Sequence, residues 1–153
     1  MNTAPRYFFL LVISLFGLAS AQAQQKTPTQ IRFDELHDYL TNDKRRPGDR
    51  IVVTDVPLNA GSKKHQQGLV IVEAGSDDDN TQFFTSSSLA KRLGARVRSG
   101  NARVRLTCTV IELRGEFDVS LSAFVTKIEA LRDDGSIAWV ENGTPPSRTK
   151  YRI

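Results

Sequence analysis

The chain has 153 residues, with 21 Lys and Arg against 17 Asp and Glu, a formal charge of +4, one cysteine and two histidines. That length holds one domain with a tail rather than two. The lone Cys108 excludes an internal disulfide framework and a cysteine-based zinc site, and a charge of +4 is too mild to compel a nucleic-acid reading.

The first 23 residues read as an export signal. Arg6 is the only charged side chain before Lys26, and Tyr7 to Leu18 is a nearly unbroken apolar run of 12 residues. A membrane-spanning helix needs roughly 20. Small residues follow, Ala19-Ser20-Ala21-Gln22-Ala23, offering cleavage after Ala21 or Ala23. No cysteine adjoins either position for lipid attachment. Without this segment the chain keeps 20 basic and 17 acidic side chains, and 45 of its 130 residues (35%) are hydrophobic. That suits a small β-rich domain whose strands each bury one face. No later stretch is long and apolar enough to span a membrane.

Gln24 to Gln30 is polar and aperiodic, a flexible lead. Phe33, Leu36 and Leu40 then fall on one helical face, with Asp34 as the expected N-cap and the breaker Pro47-Gly48 beyond. This predicts a short helix ending near Asp43. From Asp49 the period changes to two. Arg50–Val56 is rich in β-branched residues and predicts a first strand, Asn59–Gly68 a long polar loop, and Leu69–Glu73 a second strand. A turn over 75–80 precedes a short third strand, Thr81–Thr85. Ser86–Gly94 predicts a small helix capped by serine and stopped by Gly94. Ala102–Val110 alternates cleanly: Val104, Leu106, Cys108 and Val110 share one face, while Arg103, Arg105, Thr107 and Thr109 share the other. After a turn at Leu113–Glu116, Val119–Ala130 alternates with a parity slip near Ala123-Phe124, the mark of a β-bulge. Ile137–Val140 is a further short strand, with Trp139 expected to cover one end of the domain. Residues 141–153 read as an exposed tail; Asn142-Gly143-Thr144 is more simply a turn than a glycosylation acceptor.

The expected fold is therefore mainly β: a small five-stranded OB-like barrel over 31–140, with a short N-terminal helix and a short helix between its third and fourth strands. A small β-sandwich is the alternative. The span from about Gly48 to Leu131 resembles the bacterial exported OB-fold proteins and the tRNA-anticodon-binding-like OB domains. The residues carrying the resemblance are Gly48–Thr54, Ala102–Val110 and Val119–Ile128. Such families often have glycine late in the first and fourth strands, where this chain has Asp55 and Thr107-Cys108-Thr109. The resemblance implies a binding face on the second and third strands and their flanking loops. It places Lys63, Lys64, Phe83 or Phe84, Arg103, Arg105 and Arg114 on or near that face, cations for phosphates and a ring for a base.

Catalytic chemistry finds little support. His37 falls on a helix and His65 in a loop, and no Gly-x-Ser-x-Gly elbow surrounds any serine. Cys108 sits on the apolar parity of its strand, as a small buried hydrophobe. Asp77-Asp78-Asp79-Asn80 concentrates oxygen ligands but lacks the EF-hand order, and reads as a solvated turn. The expectation is an exported, non-catalytic binding module with no cofactor, for an envelope protein, peptide or small anionic ligand. The alternatives are a single-stranded nucleic-acid binder and, more remotely, a hydrolase or metal-dependent enzyme.

Overall fold

A computed structural model describes residues 27–76, 79–97 and 102–153. The leader over 1–23, the start of the lead, and Asp77 and Asp78 of the acidic turn lie outside the described residues.

The long strand β2 (Arg50–Lys64) organises the sheet. Its first half pairs antiparallel with β5 (Ala102–Arg114), and its second half with β3 (Leu69–Ser76). A hairpin joins β3 to β4 (Asp79–Ser86), β4 touches β6 (Val119–Leu131) in a parallel pair at Phe84 and Phe124, and β6 runs antiparallel to β5. These five strands close a ring in the order β2-β3-β4-β6-β5, returning to β2. Helix α2 (Ser87–Arg96) lies in the connection from β4 to β5, the place the sequence assigns to it.

Most of the expected polar loop at 59–68 is strand instead. Ser62, Lys63 and Lys64 pair with Val72, Ile71 and Val70. Pairing satisfies the backbone while the polar side chains stay in water, so composition misleads here. The reversal needs only a 3-10 turn at Gln66–Gly68.

Val53 and Val56 are both fully buried, which an uninterrupted strand forbids at odd spacing. A bulge between them restores the inward parity, and Asp55 adopts φ +58° there. Aspartate is among the few residues other than glycine that enter this left-handed conformation with any frequency. Asp55→Val is expected to lower stability by about 1–2 kcal/mol, because a β-branched side chain is penalised at positive φ. Asp55→Gly should be nearly neutral, and urea denaturation of the two variants checks both.

Three elements flank the ring. β1 (Thr29–Arg32) runs parallel to β2, so Thr29 and Gln30 are strand and not flexible lead. β7 (Ile137–Asn142) pairs with β6, and β8 (Lys150–Arg152) runs parallel to β5. The expected exposed tail is therefore partly docked, with Tyr151 buried. A 3-10 turn at Phe33–Glu35 leads into α1 (Leu36–Thr41). Asp34 lies inside that turn rather than capping it; Glu35 instead accepts from the Arg32 amide at 3.3 Å.

The main core fills the ring. Ile51, Val53, Val56, Leu58, Phe83, Leu106, Cys108 and Val110 meet Leu89 and Leu93 of α2 and Leu36 and Tyr39 of α1. Half-buried Trp139 packs on this core. Burial pushes the Cys108 thiol well above its ordinary range, so it stays protonated and inert. The Ser86 hydroxyl accepts from the Leu89 amide at 3.4 Å, the cap expected for α2. Gly94 does not stop the helix, which continues to Arg96, where Arg92 and Arg96 reach Glu141 of β7 at 2.9 and 3.3 Å.

The bulge in β6 sits at Thr126, between the pairs Thr107–Lys127 and Cys108–Val125. The run Ser122–Val125 is buried on both faces, and this blurs the period that places the slip at 123–124. Ala123 and Val125 face the main core, while Phe124 joins a second apolar cluster.

Candidate functional site

The basic candidate ligand residues fall into three separate patches. Lys63 and Lys64 are exposed near the end of β2, and Lys63 pairs with Glu73 at 2.8 Å. Hydrogen bonds from Lys63 and Asn80 hold the Glu73 carboxyl below the ordinary carboxylate range. Arg114 is exposed near the tip of the β5–β6 hairpin, where it meets Glu112 at 2.8 Å. Arg105 and Arg114 are nine positions apart on β5, on opposite faces and roughly 30 Å distant.

The aromatic part of the expected site is corrected. Phe83 is fully buried in the main core, its ring 6.3 Å from that of Phe33. Phe84 points the other way, as strand alternation requires, yet it is only 4% exposed. It lies in the second cluster with Leu69, Ile71, Ile111, Leu113, Phe124 and Tyr151, and His65 meets it edge-on at 5.4 Å. The face of β3 and β4 on which OB-like domains commonly bind is thus covered by the chain's own C-terminal strand. Neither phenylalanine offers a free ring to a base.

Arg103 and Arg105 lie on a different surface, the outer face of β1, β2, β5, β6 and β7. One row runs Gln30, Val52, Thr107, Lys127, Asn142 across the five strands. The next carries Arg32, Thr54, Arg105, Glu129 and Val140. Glu129 is 6% exposed and organises this face. Its two oxygens accept from Arg105 Nε at 2.9 Å and Lys127 Nζ at 2.7 Å. Burial pushes its carboxyl up, but the two hydrogen bonds and positive charges outweigh that and hold it below the ordinary range. Arg103 is exposed. Glu129 escapes a reading that looks only for basic clusters. The signal available was its outward parity with Lys127, two residues away, facing the arginine-bearing side of β5.

A cleft of about 470 Å³ opens between the end of α1 and the start of β6, lined by His37, Leu40, Asp43, Arg45 and Val119 among others. The Arg45 guanidinium lies 3.8 Å over the Tyr39 ring. His37 belongs to this cleft and His65 to the β2–β3 turn, so the two histidines serve different surroundings. Among the described residues, no group of three or more His, Cys, Asp or Glu is placed to hold a metal ion. No helix among them is long and apolar enough to cross a membrane.

No family model matches the chain. No curated protein matches it either. Solved structures similar to it include a putative aspartyl-tRNA synthetase from Leishmania major Friedlin, at TM-score 0.41 and 14% identity over 69% of this chain. Asparaginyl-tRNA synthetases complexed with asparaginyl-adenylate are also similar: that of Entamoeba histolytica at TM-score 0.38 and 12% identity over 78% of the chain, and that of Pyrococcus horikoshii at 0.36 and 9% over 56%. The chain spans 19–25% of the length of those proteins.

Proposed function

We propose that this chain is an exported, non-catalytic binding module built on an OB-like ring, and that its ligand is an envelope protein, a peptide or a small anion. The strand order carries the reading: five strands closed as first-second-third-fifth-fourth, with a helix between the third and fourth, is an arrangement devoted to binding in many proteins. The leader pattern at 1–23 supports export. A ligand screen on the purified chain tests the module: a ligand at 100 times its Kd raises stability by about 2.7 kcal/mol, read as a higher melting temperature. Turnover in a hydrolase screen, abolished by His37→Ala or His65→Ala, would sink the non-catalytic reading.

A second reading is single-stranded nucleic acid, favoured by Arg103, Arg105 and Lys127 sharing one outer sheet face. Oligonucleotide affinity should then fall steeply with salt. The double variant Arg103→Ala, Arg105→Ala should lower the log–log slope by roughly one per charge. Absence of oligonucleotide binding at low salt ends this second reading and leaves the first intact.

A further inference from the structure

The second apolar cluster has the build of an occupied peptide groove. Its floor is made by the outward side chains Leu69, Ile71, Phe84 and Phe124, and its wall by Ile111 and Leu113 beyond the point where β2 leaves β5. From there the edge of β5 is taken by β8, three residues in parallel register: Glu112 with Lys150, Leu113 with Tyr151, Arg114 with Arg152. The Glu112 amide donates to the Thr149 carbonyl at 2.8 Å and the Ile153 amide to the Arg114 carbonyl at 3.0 Å. Tyr151 is the only side chain of β8 that goes inside, 4% exposed, while Lys150 and Arg152 stay in water. Lys150 Nζ lies 3.9 Å from Glu112, and the Gln67 side-chain Nε2 donates to the Arg152 carbonyl. Gly143 to Thr149, with Pro145-Pro146, forms the strap that delivers the strand, and a cavity of about 180 Å³ remains beside Phe124, Pro145, Pro146 and Tyr151.

An added strand, one buried aromatic anchor and two flanking cations, of which Lys150 lies near the Glu112 carboxylate, are the elements of peptide recognition by β-augmentation. Short edge elements with few buried side chains are in general the ones that open at the lowest free-energy cost, and β8 is three residues long with one buried side chain. We infer that this groove is a docking site for an extended segment of a partner protein, an aromatic residue between two basic ones, and that β8 fills it in the isolated chain. The inference deepens the binding-module reading and rests on it. Self-occupancy weakens the partner's apparent affinity by the fraction of time the groove stands open.

The test uses the full chain with Tyr151→Ala and a synthetic peptide of residues 148–153. The peptide should bind the variant at least about tenfold more tightly than the unaltered chain, whose groove is filled. It should also raise the variant's melting temperature, while a peptide with alanine in the tyrosine position does neither. Equal binding to both chains, equal binding by both peptides, or no binding to the folded variant overturns the inference. Should Tyr151→Ala not fold, hydrogen exchange on the unaltered chain decides. Amides of Tyr151 and Ile153 exchanging well ahead of Leu106 and Val110 support a detachable strand; exchange only with global unfolding refutes it. If the peptide fails but the ligand screen returns another binder, the groove is lost and the module reading survives.

Discussion

Phe83→Ala is expected to lower the unfolding free energy by about 3–5 kcal/mol, and Phe84→Ala by an amount near the lower end of that range. The two side chains leave β4 in opposite directions, and both end in apolar surroundings. Phe83 is fully buried against Phe33 and the interior of the ring. Phe84 is buried among Leu69, Ile71, Phe124 and Tyr151. Truncating either leaves a void that close-packed neighbours fill only in part. A phenylalanine kept in solvent to stack on a base behaves differently, since surface substitutions usually stay within about 0.5 kcal/mol. Urea midpoints of the two variants therefore separate the alternatives. A midpoint for Phe84→Ala close to that of the unaltered chain would mean that the C-terminal strand does not cover the face. A further variant tests the groove. Tyr151→Ala should be less costly than Phe83→Ala, because its loss releases a three-residue edge strand while the ring stays shut.

How far the residues speak for themselves is clearest on β5. Val104 to Val110 alternates without a break, and every expected inward residue is inward. The helix after β4 is equally plain, because Ser86 has no better use than to cap it. Difficulty begins where one segment serves two packing partners. Ser122–Val125 is buried on both faces, so its pattern carries no period and the bulge is displaced to Thr126. Leu69–Val72 is likewise buried throughout. Phe84 has the parity of an exposed residue, and only the arrival of Tyr151 from 67 positions away makes it a core residue. Long-range closure of this kind leaves no local trace. Lys150-Tyr151-Arg152 held a faint one, an apolar residue between two polar ones in a tail otherwise read as solvent-exposed. The charges mislead for a related reason. Arg105 and Lys127 were legible as cations, but their common anion, Glu129, lies on the neighbouring strand to Arg105 and is found only when β5 and β6 are set in register.

Glu129→Gln is expected to cost roughly 2–3 kcal/mol near neutral pH. A carboxylate that is 6% exposed is tolerated because Arg105 and Lys127 each give it a charge-assisted hydrogen bond. Removing one member of such a buried group leaves the others uncompensated, typically at 3–5 kcal/mol. Here the side chains of the two cations keep about a third of their surface in water, 33% for Arg105 and 38% for Lys127, so the loss is reduced. The pH dependence has a definite sign. The native carboxyl titrates below the unfolded value of about 4.3. The stabilisation is therefore complete above that pH and drains away as pH falls through the native value. Acid titration of stability should show the unaltered chain converging on Glu129→Gln below about pH 4, with the full gap restored by pH 6. The same variant probes the outer sheet face. With the anion neutralised, Arg105 and Lys127 face solvent together with Arg32 and Arg103. If anions bind on that surface, Glu129→Gln binds them more tightly and with a steeper salt dependence, despite its lower stability. If affinity for every ligand is unchanged while stability falls, Glu129 belongs to the scaffold alone.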